Sequence, residues 1–465
     1  MAPDSGAAPP IEDYAMIGNT CTAALVHRQG SIDWLCLPRF DSPSCFTSLL
    51  GGPEHGCWII TPAAPVRRVS RRYRPGTLVL ETTLETADGA VTLVDFMPPP
   101  RHGLVDVLRL VKGLRGKVAM TMQLVLRFDY GLVVPWVRRD ERGYHAVAGP
   151  DAVRVWTPVA LRGKDYTTVA DFTVGDGQTV PFQLTWWQAH EPEPTELDAA
   201  KMLDTTEAWW REWSDRCTLQ GQWREPVLAS LVTLKGLTYS PTGAIVAAPT
   251  TSLPEQFGGS RNWDYRYCWL RDATFTLYAL LSSGYTEEEA AWREWLLRAI
   301  AGDHEKLQIV YGLAGERRLT ELELPWLPGY AGNGPVRIGN AAYAQRQLDV
   351  YGEVMDALYV ARRHQIEFED DSWEVQRKLM DVLESRWDKP YRGLWEMRGG
   401  DCHFTHSKMM AWVAFDRAIK TMERFEIEGP LQRWRQSRDR IHAEVCEKGF
   451  SRKRGAFVRS YDAED

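Results

Sequence analysis

The eight cysteines of this chain include no Cys-x-x-Cys pair: Cys21, Cys36, Cys45, Cys57, Cys217, Cys268, Cys402 and Cys446 stand singly. That scatter argues against a zinc ribbon or a disulfide scaffold and for the reduced thiols of a cytoplasmic protein. No apolar run approaches the roughly 20 residues of a membrane helix, so no membrane partner is expected. The stretch from Met1 to Pro10 lacks a basic start and an apolar core, which excludes a secretory signal and leaves residues 1–10 as a flexible tail. Neither sign of charge dominates. The 55 basic and 62 acidic residues are well mixed and sum to a net charge of -7, so no basic face is offered to nucleic acid.

What the chain does have is length and apolar content. Its 465 residues, 44% hydrophobic and 25% charged, suit a globular protein too long for one ordinary core, so two unequal domains are expected. From Ile17 to about Gln188 short β-branched runs alternate with turns. Cys21 to His27 and Ser31 to Leu37 flank one turn, and Thr77 to Thr86 and Ala90 to Met97 flank Asp88-Gly89. Val105 to Val111, Val118 to Phe128, Ala152 to Thr157 and Val180 to Trp187 continue the pattern, which predicts an antiparallel β-sandwich over residues 11–200. A polar-aromatic stretch with Trp209, Trp210 and Trp213 links it, over 201–224, to a helical domain at 225–465. Helices are expected at Glu225 to Tyr239, Ala273 to Ser283, Thr286 to Ile300, Asn340 to His364, Ser372 to Trp387, Thr405 to Phe425 and Glu428 to Lys448.

Two clusters in the long loops carry chemistry. Gly393-Leu-Trp-Glu396 sets a carboxylic acid directly after Trp395, and Asn262 to Asp272 interleaves Trp263 and Trp269 with Arg271 and Asp272. Aromatics beside acids are what a site needs to grip a sugar ring and protonate a glycosidic oxygen, so carbohydrate chemistry is the leading expectation. Each residue also has a plainer reading. Glu396 could be a surface glutamate, Arg271 and Asp272 a helix-start charge and its ion-pair partner. His403 and His406 have a spacing that suits a metal, but without a third ligand nearby they read as capping and polar packing; no metal and no cofactor are expected.

These motifs, with Ile11-Glu-Asp-Tyr14, Ile17-Gly-Asn19, Gly30-Ser-Ile-Asp-Trp-Leu-Cys36 and Leu327 to Asn340, resemble the bacterial glucoamylase- and trehalase-type members of glycoside hydrolase family 15 along almost the whole chain. The resemblance implies a trehalase-like N-terminal β-sandwich followed by an (α/α)6 barrel, and hydrolysis of terminal α-glucosides, of trehalose, maltose or isomaltose type, with inversion. It also implies Glu396 as general acid and Arg271 and Asp272 as the pair that holds the terminal glucose. Tyr330 to Asn340, with Arg337, resembles the second sugar-gripping loop, and Trp263, Trp269, Trp326 and Trp395 are the stacking platforms. The α-glucoside substrate is the expected partner, and a homo-oligomer is compatible with the chain.

In one respect the sequence departs from the family. Members continue past the position of Asp465, and their general base lies in that later segment. No residue here matches it, so the helical domain is expected to be incomplete and open at one side, with apolar helix faces left wet. Glu321 and Glu323 could substitute as base, although loop exposure explains them equally well. The rival expectation is a catalytically silent carbohydrate-binding or assembly protein.

Overall fold

The Asp88-Gly89 turn closes as its residues dictate. In the computed structural model, which describes residues 8–140, 143–301, 304–364, 370–461 and 463, Leu80–Glu85 and Gly89–Phe96 pair antiparallel across it. Ala23–His27 and Ser31–Cys36 pair likewise, around Gly30 at φ +90°. A Cβ there would sit 2.2 Å from the Ile60 carbonyl oxygen, so only glycine fits.

Fifteen antiparallel strands between Tyr14 and Gln188 form one hydrogen-bonded system among the described residues. The segments expected as two strands, Val105 to Val111 and Val118 to Phe128, are one unbroken strand, Leu104–Val125. Its first half pairs with Gly89–Phe96 and Thr179–Gln188, its second with Cys57–Pro62 and Thr167–Gly175. The polar, glycine-containing stretch Lys112 to Lys117 reads as a break in the hydrophobic pattern. It is instead a bend within the strand, with a register shift opposite Ala90 and Val91 and Gly116 at φ +72°. One apolar cluster joins both halves, with Trp58, Ile60, Met120 and Met122 packed in the same core as Leu93 and Phe182.

Helix α1, Ala199–Ser214, occupies much of the 201–224 stretch. Asp198 caps it by accepting from the Ala200 and Lys201 amides at 3.1 and 3.0 Å, and Leu203 shares an apolar cluster with Val79, Phe96 and Leu108. Helix α2, Arg224–Gly236, follows.

The chain divides into two compact units. The first joins Met1–Ser240 to two later segments, Ala248–Arg266 and Leu322–Ile338; the second contains Pro241–Ala247, Tyr267–Glu321 and Gly339–Asp465. The later segments are bound into the first unit by named bonds. The Trp34 indole donates to the Pro249 carbonyl at 2.8 Å, and the buried Arg266 guanidinium pairs with Asp264 at 2.7 Å and donates to the Tyr130 hydroxyl at 2.9 Å.

The second unit is helical: α3 Leu270–Ser282, α4 Glu287–Ile300, α5 Asp349–Arg363, α6 Asp370–Glu384, α7 Thr405–Phe425 and α8 Leu431–Lys448. Helix α5 lies against α3 and α7, and α7 against α8. The helix expected from Asn340 to His364 is broken. Asn340 caps a short 3-10 turn, Ala341–Ala344, by accepting from the Ala342 amide at 2.9 Å, and the α-helix starts only at Asp349. That break puts Asp349 at a helix N-terminus rather than in a helix middle.

Candidate active site

Three helix N-termini in the second unit bring titratable side chains together: Arg271 and Asp272 from the first turn of α3, Asp349 from the start of α5, and His406 from the first turn of α7. Glu396 enters from the loop before α7. Its amide donates to the Gly393 carbonyl at 3.0 Å, which closes a turn over Leu394 and Trp395, and its own carbonyl accepts from Gln345 Nε2 at 3.0 Å. Glu396 itself adopts φ +53°. A non-glycine residue in that region costs on the order of 1 kcal/mol and persists where surrounding bonds dictate it.

The Glu396 carboxyl has two donors on one oxygen. Trp269 Nε1 donates to Oε1 at 2.8 Å, and Arg271 Nη2 reaches the same atom at 3.3 Å. Trp269 is buried, held by the short strand Cys268–Trp269 against Val310–Tyr311. Burial pushes the Glu396 carboxyl above its ordinary pKa, against the opposing pull of Arg271 and of the Trp269 bond.

Arg271 is the hub of the cluster. Its Nη1 donates to the Leu394 carbonyl at 3.1 Å and lies 3.8 Å from Asp349, while Nη2 lies 3.7 Å from Asp272 and 3.3 Å from Glu396. The Asp349 side chain is buried, and its Oδ1 has no hydrogen-bond partner; the same holds for Nδ1 of His406. Burial raises the Asp349 carboxyl against the pull of Arg271 and then of His406, and lowers the His406 imidazole against the Asp349 charge. One turn along α5, burial and then the Asp349 charge push Glu353 up to about 7.

Of the site residues read from the sequence, Trp269, Arg271, Asp272 and Glu396 are thus gathered in one place. Trp395 stands beside them with 75% of its surface exposed. With Leu394, Phe404, His406, Met409 and Trp412 it lines a largely apolar cavity of about 690 Å³. Trp263, Trp326, Tyr330 and Arg337 belong to the first unit. There the Arg337 guanidinium lies 4.8 Å over the Trp263 ring, Trp326 donates to the Tyr130 carbonyl at 3.0 Å, and the Tyr330 hydroxyl donates to the Pro9 carbonyl at 2.7 Å. Glu321, in the second unit, pairs with Arg398 at 2.8 Å, and Glu323, in the first, with Arg337 at 3.0 Å. Among the described residues no group of three His, Cys, Asp or Glu side chains could hold a metal ion, and the His403 ring stacks on Tyr461.

Sequence reasoning missed Asp349, Glu353, Gln345 and the place of His406. The available signal was two acids four residues apart, Asp349 and Glu353, among the apolar residues of the first turns of α5, a pattern that puts both on one face. Reading the helix as continuous from Asn340 hid it.

Comparison with known proteins identifies the family. Residues 221–465 match the model of glycosyl hydrolases family 15, and residues 4–173 that of the trehalase-like N-terminal domain. The chain is 37% identical to a trehalase of Mycolicibacterium smegmatis over 97% of its own length and 72% of the relative's. It is 36% identical to a trehalase of Mycobacterium tuberculosis, over 98% and 71%, and 32% identical to one of Thermoplasma volcanium, over 98% and 74%. The class is therefore that of the glycoside hydrolases, enzymes of the glycosidase and trehalase type. Within it, this chain belongs to glycosyl hydrolases family 15.

Proposed function

We propose that this chain hydrolyses terminal α-glucosidic bonds with inversion, acting on trehalose or on malto- and isomalto-type glucosides in carbohydrate metabolism. The observation that carries this reading is the environment of Glu396: a carboxyl raised by burial, held by two donors on Oε1. Those donors leave Oε2 to carry the proton, and a carboxyl whose acid form burial favours is what a departing glycosidic oxygen needs. Glu396 is then the general acid. Asp272, half-exposed beside Arg271, accepts from hydroxyls of the terminal glucose, and the exposed Trp395 ring offers an apolar face to the sugar.

The remaining assignments follow the family. Trp263, Trp326, Tyr330 and Arg337 are assigned further sugar contacts by the same resemblance, with Arg337 stacked on Trp263 and both Arg337 and Tyr330 buried. The domains are a β-sandwich over 11–200, a linking stretch over 201–224 and, over 225–465, part of an (α/α)6 barrel to which α3 to α8 contribute. A cytoplasmic location agrees with eight free thiols. Inversion requires a second carboxylate roughly 6.5 to 9.5 Å from the acid to activate water. We assign that base to no residue of this chain: Asp272 and Asp349, the other carboxylates beside Arg271, are in charge contact with its guanidinium. The same observation favours a second reading, a carbohydrate-binding protein without turnover.

Proton NMR of trehalose, maltose and isomaltose, incubated with the 465-residue chain and with a form extended through any downstream reading frame, separates the two. The expected result is β-glucose release by the extended form, lost about 100-fold to 10,000-fold in Glu396→Gln. Brisk release by the 465-residue chain would show that a carboxylate already present serves as base. Full activity of Glu396→Gln would remove the acid from Glu396.

A further inference from the structure

The Arg271 guanidinium poses a problem for a proton donor. A cation 3.3 Å from Glu396 Oε1 favours the ionised carboxylate, the form that has no proton to give. By itself the Coulomb attraction of such a pair would lower the carboxyl's pKa. Burial raises the carboxyl against that pull, and a carboxylate on the far side of the guanidinium would add to the same effect.

The structure provides that group. Asp349 lies 3.8 Å from Arg271 Nη1, at the end of the guanidinium turned away from the Nη2 contact with Glu396. Its side chain is 2% exposed, against 21% for both Arg271 and Glu396, so its charge is poorly screened. The Leu394 carbonyl, accepting from Nη1 at 3.1 Å, ties the same end to the turn that carries Glu396. Asp272, 47% exposed and 3.7 Å from Nη2, is a second carboxylate on the guanidinium, and its charge also raises Glu396.

We propose that Asp349 is a positioning residue for the general acid: it neutralises and orients Arg271, so that the guanidinium fixes Glu396 without taking its proton. The inference rests on the reading of Glu396 as the acid. The other groups around it are Asp272 on α3, Glu353 and Asp356 on α5, and His406 on α7. His406 faces both Asp349 and Arg271, and its buried Nδ1, like Asp349 Oδ1, is without a hydrogen-bond partner. Burial keeps the imidazole neutral near pH 7, so it adds no second cation to compete for Asp349. Glu353, raised to about 7 by burial and then by the Asp349 charge, is largely protonated below pH 7 and adds no further fixed anion beside Arg271.

The test is a direct titration, which needs no turnover. In the full chain labelled with ¹³C at glutamate side chains, the Glu396 signal is identified by its loss in Glu396→Gln. Asp349→Asn should lower the Glu396 midpoint by about one pH unit, a tenfold loss of proton affinity, because the guanidinium is no longer offset. Asp349→Glu should keep the midpoint within about 0.3 units of wild type. Arg271→Gln should raise it, because the cation and its bond to Oε1 both favour the carboxylate, and adding Asp349→Asn to Arg271→Gln should move it by less than about 0.3 units, because Asp349 acts through the guanidinium. A midpoint unmoved in Asp349→Asn, or lowered as much in the Arg271→Gln background as in wild type, overturns the proposal. Where Asp349→Asn does not fold, Asp349→Ser is read in both backgrounds against the same criteria. The acid reading fails separately, on sugar release by Glu396→Gln, while the titration reports the carboxyl whatever its role.

Discussion

Removing the indole donor from Glu396 gives the sharpest test of how the acid is set. Trp269→Phe keeps an aromatic ring in the buried slot after Cys268 but deletes the Nε1–H that reaches Oε1 at 2.8 Å. A hydrogen bond to an ionised group contributes about 1.5 to 3 kcal/mol, and it favours the carboxylate over the acid. Its loss should therefore raise the Glu396 midpoint by about one to two pH units, since one unit corresponds to about 1.4 kcal/mol. The direction follows from the folded state alone: burial already raises this carboxyl, and the variant removes one of the two groups that oppose the rise. In ¹³C titrations the signal should move to higher pH, and in an active form the alkaline limb of kcat/KM should move with it. The smaller ring should also cost roughly 1 to 3 kcal/mol of stability, read by thermal melting at a pH below the carboxylate range. A folded acid raised above its unfolded pKa stabilises fully at low pH and loses that contribution as pH rises through the folded value. The variant's melting deficit should therefore widen on the alkaline side. A midpoint that falls, or stays within about 0.3 units of wild type, would refute the account of Oε1 as the oxygen held in its ionised form.

Two further predictions concern the helical unit. Glu289 on α4 is fully buried with neither carboxylate oxygen hydrogen-bonded, and burial pushes it up to about 7 against the pull of Arg293. Its contribution should be present below about pH 4.5 and lost by about pH 7, a cost on the order of 3 kcal/mol. Glu289→Gln should then raise the melting temperature at pH 8 and leave it nearly unchanged at pH 4.5; equal shifts at both would refute the burial argument. Gly352 lies where α5 meets α7, and an added Cβ would sit 2.3 Å from the Met410 carbonyl oxygen. Gly352→Ala should destabilise by about 1 to 3 kcal/mol despite alanine's better helix propensity, and a chemical-denaturation midpoint equal to wild type would show that the helices can separate at no cost.

The sequence by itself determined the order of elements and the outer members of the site. Alternation and turn chemistry are local, so the strands on either side of Asp88-Gly89 and the helix Thr405–Phe425 could be read directly. Glu396, Arg271 and Asp272 stood out because acid, cation and tryptophan are neighbours in the chain. Tertiary structure decided the rest. Nothing local says that Lys112 to Lys117 is a bend inside one strand, because that bend depends on which partners pair with each half. Nothing local says that Trp269 serves Glu396 through its indole N–H, across 127 residues, rather than through the face of its ring. Asp349 is the clearest case: it lies 78 positions after Arg271, and it became legible only once the helix was seen to start there and bury it against the guanidinium. Periodicity shows which face of a helix is buried. Which charge meets which is a matter of distance in space, and only packing sets that.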